Sequence, residues 1–203
     1  VTEFTLKDKH SDQPIYIVLN KSNELNEVVL NSERKKVFNL TRLSDFEGTS
    51  IYAGKKTEVI QVGQLTANIA SNNSRQIYAQ ISGLNIYQND DAGLQLNIGG
   101  RGLDPNRTSN FNTRQNGYDI SADVLGYPES YYSPPAEAVK EIQIVRGAAS
   151  LQYGTQFGGL VNFKLIEPNS SRVFNFKIRN TYGSNNLFTN FSQISGKIKS
   201  FSY

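Results

Sequence analysis

The chain has 203 residues, 37% apolar, 19% charged and 11% aromatic, which suits one or two folded domains and excludes a disordered polyelectrolyte. It contains no cysteine and one histidine, His10, so disulfide frameworks, cysteine nucleophiles and paired-histidine metal sites are excluded, and a Ser-His-Asp mechanism lacks material. The net charge of +3 comes from residues 171–203, where Arg172, Lys177, Arg179, Lys197 and Lys199 meet no acidic residue. Five cations strung along strand-like sequence, without a dense basic patch, do not make a phosphate-tracking surface, and no nucleic-acid partner is expected. No run reaches the ~18 consecutive apolar residues that a spanning helix needs.

Residues 1–20 hold two short β-like runs, Glu3-Phe4-Thr5-Leu6 and Ile15-Tyr16-Ile17-Val18-Leu19, with Pro14 between them. They read as the end of a β domain. Residues 21–50 are polar and charged around the compact run Val28-Val29-Leu30 and read as a linker. Glu58-Val59-Ile60-Gln61-Val62 reads as a strand. Ser74 is the expected N-cap of a short helix reaching Ser82, with Gly83 ending it. Leu84-Asn85-Ile86-Tyr87 and Leu94-Gln95-Leu96-Asn97-Ile98 alternate as strands do.

Ten of the sixteen glycines fall in 93–159, which implies tight turns and close backbone approaches. Residues 104–135, rich in Asn and Tyr and ending in Pro134-Pro135, read as a long ordered loop system. A helical turn at 136–140 leads into the strand Glu141-Ile142-Gln143-Ile144-Val145. Residues 148–154 suggest another helical turn, and Gly158–Phe163 another strand. In 173–182, Phe174, Phe176, Ile178 and Tyr182 share one parity while Asn175, Lys177, Arg179 and Thr181 share the other. That is a strand with one greasy and one wet face. A turn at 183–186 precedes a second, less regular run from Leu187. Both runs approach the ~9–11 residues of a tilted transmembrane strand, although an amphipathic hairpin on a soluble sheet has the same parity. With no leader at Val1 and no turn signal before Tyr203, the chain reads as a piece of something longer.

The run Ile142-Gln143-Ile144-Val145-Arg146-Gly147-Ala148-Ala149-Ser150-Leu151-Gln152-Tyr153-Gly154, followed by Gly158-Gly159-Leu160-Val161-Asn162-Phe163, resembles the plug domain of TonB-dependent outer-membrane receptors. Ile77 to Ile86, Ile98-Gly99-Gly100-Arg101-Gly102 and Asn116-Gly117-Tyr118 occur in the family's order upstream. The stretch Gly102-Leu103-Asp104-Pro105-Asn106-Arg107 and the Tyr-rich loop look most like ferric-citrate-type receptors of Bacteroidetes-like organisms. The resemblance implies an α+β plug over 51–168 with a small mixed four-stranded-type sheet and short helices. Before it would stand the end of a carboxypeptidase-regulatory-like β-sandwich (1–20) and a linker (21–50). After it would come the first two strands of a transmembrane β-barrel (169–203).

It further implies that Glu27, Val28, Val29 and Leu30 form a TonB box, a β-prone segment able to add to a partner's sheet edge; the same residues would also serve as one more plug strand. Arg101 and Arg146, each in an Arg-Gly turn, would latch the plug to glutamates of the barrel wall outside this chain, or else be solvated turn residues. Arg107, Arg114, Tyr118, Tyr127, Tyr131 and Tyr132 would form the ligand-binding apex, since guanidinium forks suit anionic chelates and tyrosines supply rigid contacts; each also fits plain loop surface. No catalytic residue, cofactor or protein-held metal is expected. The implied partners are the TonB C-terminal domain, an iron chelate, the rest of the barrel and the outer membrane. The competing reading is an orphaned soluble plug acting as a periplasmic binding module.

Overall fold

The computed structural model describes residues 40–48, 50–122, 127, 129–146, 153, 157–168 and 171–203. The candidate TonB box at 27–30, the β runs of 1–20 and most of the helical turn expected at 148–154 lie outside the described residues.

The chain is built mainly from strands. β1 (Leu40–Thr41), β2 (Phe46–Glu47), β3 (Ser50–Ile51) and β4 (Thr57–Gln61) come first. A single helical turn, α1 (Ser74–Ile77), leads to β5 (Leu84–Tyr87) and β6 (Asn97–Gly100). β7 (Phe111–Gln115), β8 (Tyr118–Asp119), β9 (Val139–Arg146) and β10 (Gly159–Leu165) complete the body. β11 (Asn175–Tyr182) and β12 (Phe188–Ser195) form a hairpin, and β13 (Lys197–Ile198) and β14 (Phe201–Ser202) a small terminal one.

A six-stranded mixed sheet in the order β1-β4-β9-β10-β7-β8 organises the body. Its four central strands are the longer ones and its two edges are two-residue strands. β10 runs antiparallel to β9 and parallel to β7. Alternation sorts the faces. On one, Ile60, Ile142, Ile144, Val161, Phe163 and Phe111 pack against Ile77, Tyr78, Ile81, Leu96 and Ile98 to make the main core. Removing that much apolar surface from water is the chief stabilising term of the fold. On the other face Val59, Val145 and Leu160 meet Leu43 and Tyr52 in a smaller cluster.

Several elements differ from the sequence expectation. The helix is one turn long, and its N-cap is Asn73 rather than Ser74: Asn73 Oδ1 accepts from the Gln76 amide at 3.0 Å. Tyr78, with φ −96 and ψ 2, leaves the helical region, and Ile81 reaches the core from the turns that follow. β6 starts at Asn97, because Leu94 and Gln95 turn their amides to the Asp90 carboxylate at 3.1 and 3.4 Å. The loop system at 104–135 contains β7, a sheet strand whose sequence Phe-Asn-Thr-Arg-Gln gives no apolar alternation. The sheet also begins at Leu40, inside the stretch assigned to a linker.

Gly159 has φ +130, and a Cβ there would collide with the Val145 carbonyl, so the first residue of β10 must be glycine. This close approach lets β10 pair with β9 from its first residue, Gly159 opposite Arg146.

Candidate functional site

The second face of the sheet carries a polar row. In cross-strand register, beside the apolar Val59 of β4, Gln143, Asn162, Arg114 and Asp119 stand side by side on β9, β10, β7 and β8. Gln143 and Asn162 are buried, and a buried amide must be bonded to be tolerated. Asn162 Nδ2 donates to Gln143 Oε1 at 2.9 Å, and Asn162 Oδ1 accepts from the Gly117 amide at 2.9 Å. Gln143 Nε2 and Gln61 Nε2 donate to the two oxygens of Glu141 at 2.8 and 2.9 Å.

Arg114 completes this row. Its Nε donates to Asn112 Oδ1 at 2.7 Å, Nη1 to the Gly117 carbonyl at 2.6 Å and Nη2 to the Tyr153 carbonyl at 3.1 Å. The guanidinium lies 4.9 Å from the Tyr153 ring centroid and 3.9 Å from the Asp119 carboxylate. Burial opposes ionisation of Asp119, but bonds from the Ser121 hydroxyl and amide and from Asn112, with the Arg114 charge, outweigh it and lower its pKa. The Tyr153 hydroxyl bonds to Ser50 and, at 3.1 Å, to Tyr52. Burial, and then the Tyr153 hydroxyl beside it, push the Tyr52 phenol up to about 12.

Arg107 is presented differently. It has φ 47 and Thr108 φ 55, two consecutive left-handed non-glycine residues, a conformation that costs about 1–3 kcal/mol per residue and persists only when the surroundings enforce it. They do. The Arg107 amide donates to Asn97 Oδ1 at 2.8 Å and its carbonyl accepts from the Ser130 amide at 2.8 Å. Thr108 Oγ1 donates to the Leu96 carbonyl at 2.5 Å. The side chain thus projects outward, its Nη1 3.2 Å from the Tyr131 hydroxyl and its guanidinium carbon 5.2 Å from that ring's centroid. Tyr131 in turn donates to Glu129 Oε2 at 3.2 Å.

The six residues expected at an apex therefore divide. Arg107 and Tyr131 come together at an exposed site. Arg114 is consumed by internal bonds, and Tyr118, 78% exposed, caps the opposite end of β7. Tyr127 and Tyr132 are exposed, and neither side chain joins the Arg107–Tyr131 contact. Of the two turn arginines, Arg101 is exposed and forms no ion pair among the described residues. Arg146 has an acidic partner inside the chain. Its Nη2 lies 2.7 Å from Glu58 Oε2, its Nε donates to the same oxygen at 2.8 Å, and Nη2 also reaches the Ser82 carbonyl at 2.6 Å. No group of three or more His, Cys, Asp or Glu side chains converges among the described residues.

The sequence reading missed Asn97, Glu129 and Ser130, which shape the Arg107 site, and also Asn72. Asn72 Nδ2 donates to the Gly93 carbonyl at 2.7 Å and Oδ1 accepts from the Ala136 amide at 3.1 Å. One side chain so ties the 93 turn to the segment after Pro135. Its only sequence signal is Asn in an Asn-rich turn, where a left-handed residue is common.

The sequence matches the TonB-dependent Receptor Plug Domain family over residues 52–160, and the chain belongs to that family. Among solved structures it is similar to the ferric citrate transporter FecA in its unliganded form, with TM-score 0.54, 23% identity, and coverage of 76% of this chain and 24% of that one. A mutant ferric enterobactin receptor, PfeA, from Pseudomonas aeruginosa gives TM-score 0.53 and 18% identity over 73% of this chain and 23% of that one. The copper transporter OprC gives TM-score 0.51 and 17% identity over 79% and 23%. At such identities the likeness speaks for the fold. The chain spans about a quarter of the length of each of these proteins.

Proposed function

We propose that this chain is the plug and first wall strands of a TonB-dependent outer-membrane transporter, and that it takes an anionic iron chelate at the Arg107–Tyr131 site. The observation that carries the reading is the backbone of Arg107, held left-handed by Asn97 and Ser130 so that an exposed guanidinium stands against an exposed tyrosine. A planar fork with donors still facing outward suits carboxylate or catecholate oxygens already organised around a metal. Two of the similar structures are a ferric citrate transporter and a ferric enterobactin receptor. On this reading residues 27–30 are the box that engages the TonB C-terminal domain, and the plug sits within a barrel completed by sequence outside this chain. Arg101, exposed and unpaired among the described residues, is the plug arginine left to meet a barrel carboxylate.

The test is binding of ferric citrate to the intact receptor in outer-membrane vesicles. Arg107→Ala should weaken binding at least tenfold. Glu129→Gln should tighten it, because a carboxylate beside the site repels an anionic ligand. Unchanged affinity in both variants would remove the ligand from this site.

A further inference from the structure

Arg179 belongs to the wet parity of β11, and its Nη1 donates to Glu137 Oε1 at 2.6 Å. Among the described residues this is the only ion pair that joins the body, 40–168, to the segment 171–203. Glu137 is the more buried partner, its side chain 8% exposed against 40% for Arg179. A carboxylate so far from water is costly unless paired. The body therefore holds a charge that the hairpin neutralises.

Glu137 is also fixed in place. It sits in a one-turn 3-10 helix, Ala136–Ala138, behind Pro134 and Pro135. The Ala136 amide donates to Asn72 Oδ1 at 3.1 Å, and the Ala138 carbonyl accepts from the Ile166 amide at 2.9 Å. Both ends of the turn are thus tied to other parts of the body.

The hairpin offers few ways to choose its own position. Its outward parity on β11 is Phe176, Ile178, Asn180 and Tyr182, apolar but for Asn180, and a slide by two residues keeps each side chain on its own face. Its inward parity carries Lys177, Arg179 and Thr181. Lys177 is engaged elsewhere, with Nζ 5.8 Å from the Phe191 ring centroid. Only Arg179 meets the buried carboxylate.

We propose that Glu137 is the ionic seat that fixes the position of the β11–β12 hairpin on the plug, with the plug contributing the acid and the wall strand the base. This rests on reading the hairpin as wall, but its test needs neither ligand nor transport. Failure here and failure of the transport reading are therefore separable.

The chain has no native cysteine, so spin labels at Ala79→Cys and Ser184→Cys report the plug-to-hairpin distance in the full chain held in detergent micelles. The parent should give one narrow distance peak by pulsed electron resonance. Glu137→Gln and Arg179→Glu should each broaden it at least twofold, and Glu137→Arg combined with Arg179→Glu should restore it. Circular dichroism of each variant checks that the body remains folded, and Lys177→Gln should leave the peak narrow. An unchanged width in Glu137→Gln, a charge reversal that fails to narrow the peak in a folded body, or equal broadening by Lys177→Gln would each overturn the assignment.

Discussion

The body and the hairpin of this chain use the same β pattern with opposite exposure. In the body, apolar side chains such as Ile60, Ile144 and Val145 are fully buried, and even the polar row of Gln143, Asn162 and Arg114 is turned inward and bonded. In the hairpin, Phe176, Ile178 and Tyr182 are 52%, 54% and 78% exposed, while Asn175, Arg179 and Thr181 are more covered. A soluble sheet covers its greasy face with its own chain. In β11 the apolar parity is the exposed one, whereas in β12 the exposed parity mixes Phe188 and Ile194 with Asn190 and Ser192, and Phe191 stands on the covered parity opposite Arg179. Tyr182 and Phe188 meet at 5.0 Å between ring centroids at one end of that outward face.

Core deletions sharpen this contrast most. Phe111→Ala, at a site 1% exposed in the main core, should destabilise the body by about 3–5 kcal/mol in denaturant titration. Ile178→Ala, on a side chain already half exposed in the hairpin, should fall within about 0.5 kcal/mol in the same assay. Equal losses would mean that the hairpin packs like a core.

Next is the Glu58–Arg146 pair, whose side chains are 14% and 11% exposed. Breaking it from one side with Glu58→Gln should cost about 3 kcal/mol, since it leaves a poorly solvated guanidinium. Thermal melting of the single variant and of Glu58→Gln with Arg146→Met checks this: the double variant should recover part of the loss.

The two candidate arginines separate the proposed ligand site from the scaffold. Arg114→Ala should destabilise by about 2 kcal/mol, because the bond acceptors Asn112 Oδ1 and the Gly117 and Tyr153 carbonyls lose their donor. Arg107→Ala should leave stability within about 0.5 kcal/mol, since its side chain bonds only at the surface. If instead Arg107→Ala unfolds the chain, the exposed site is structural.

The smallest effect is a pH dependence. The Asp119 carboxyl is lowered in the folded state, so its stabilising share is present above the unfolded carboxylate pKa and is lost as pH falls through the folded one. Acid titration of the parent should show this loss below about pH 4, and Asp119→Asn should flatten that part of the curve.

How much of this was legible in the sequence follows the same division. β5, β9 and β11 could be read because apolar residues alternate in them, as at Leu84-Asn85-Ile86-Tyr87, and β4 and β10 because each holds a short apolar run, Val59-Ile60 and Leu160-Val161. β7 could not, because Asn112 and Arg114 face the polar row, and Thr113 is buried although polar. The helix was over-read because Ile77 and Ile81 share the core after the backbone has already left the helix. Among site residues, sequence brought Arg107 and Tyr131 into one set but not Glu129 beside them. It grouped Arg114 with them because a guanidinium spent on backbone carbonyls looks the same in sequence as one facing solvent. Charge partners such as Glu58 for Arg146 and Glu137 for Arg179 lie 88 and 42 residues apart, beyond any local pattern.

The most direct test of the central claim, that the hairpin is wall and the body its plug, is a nitroxide scan of residues 176–182 in the membrane-embedded receptor. Oxygen accessibility should peak at Phe176, Ile178 and Tyr182 and fall at Lys177, Arg179 and Thr181, with a water-soluble nickel reagent excluded from the first set. High nickel access at both parities would place the hairpin in water and contradict the account.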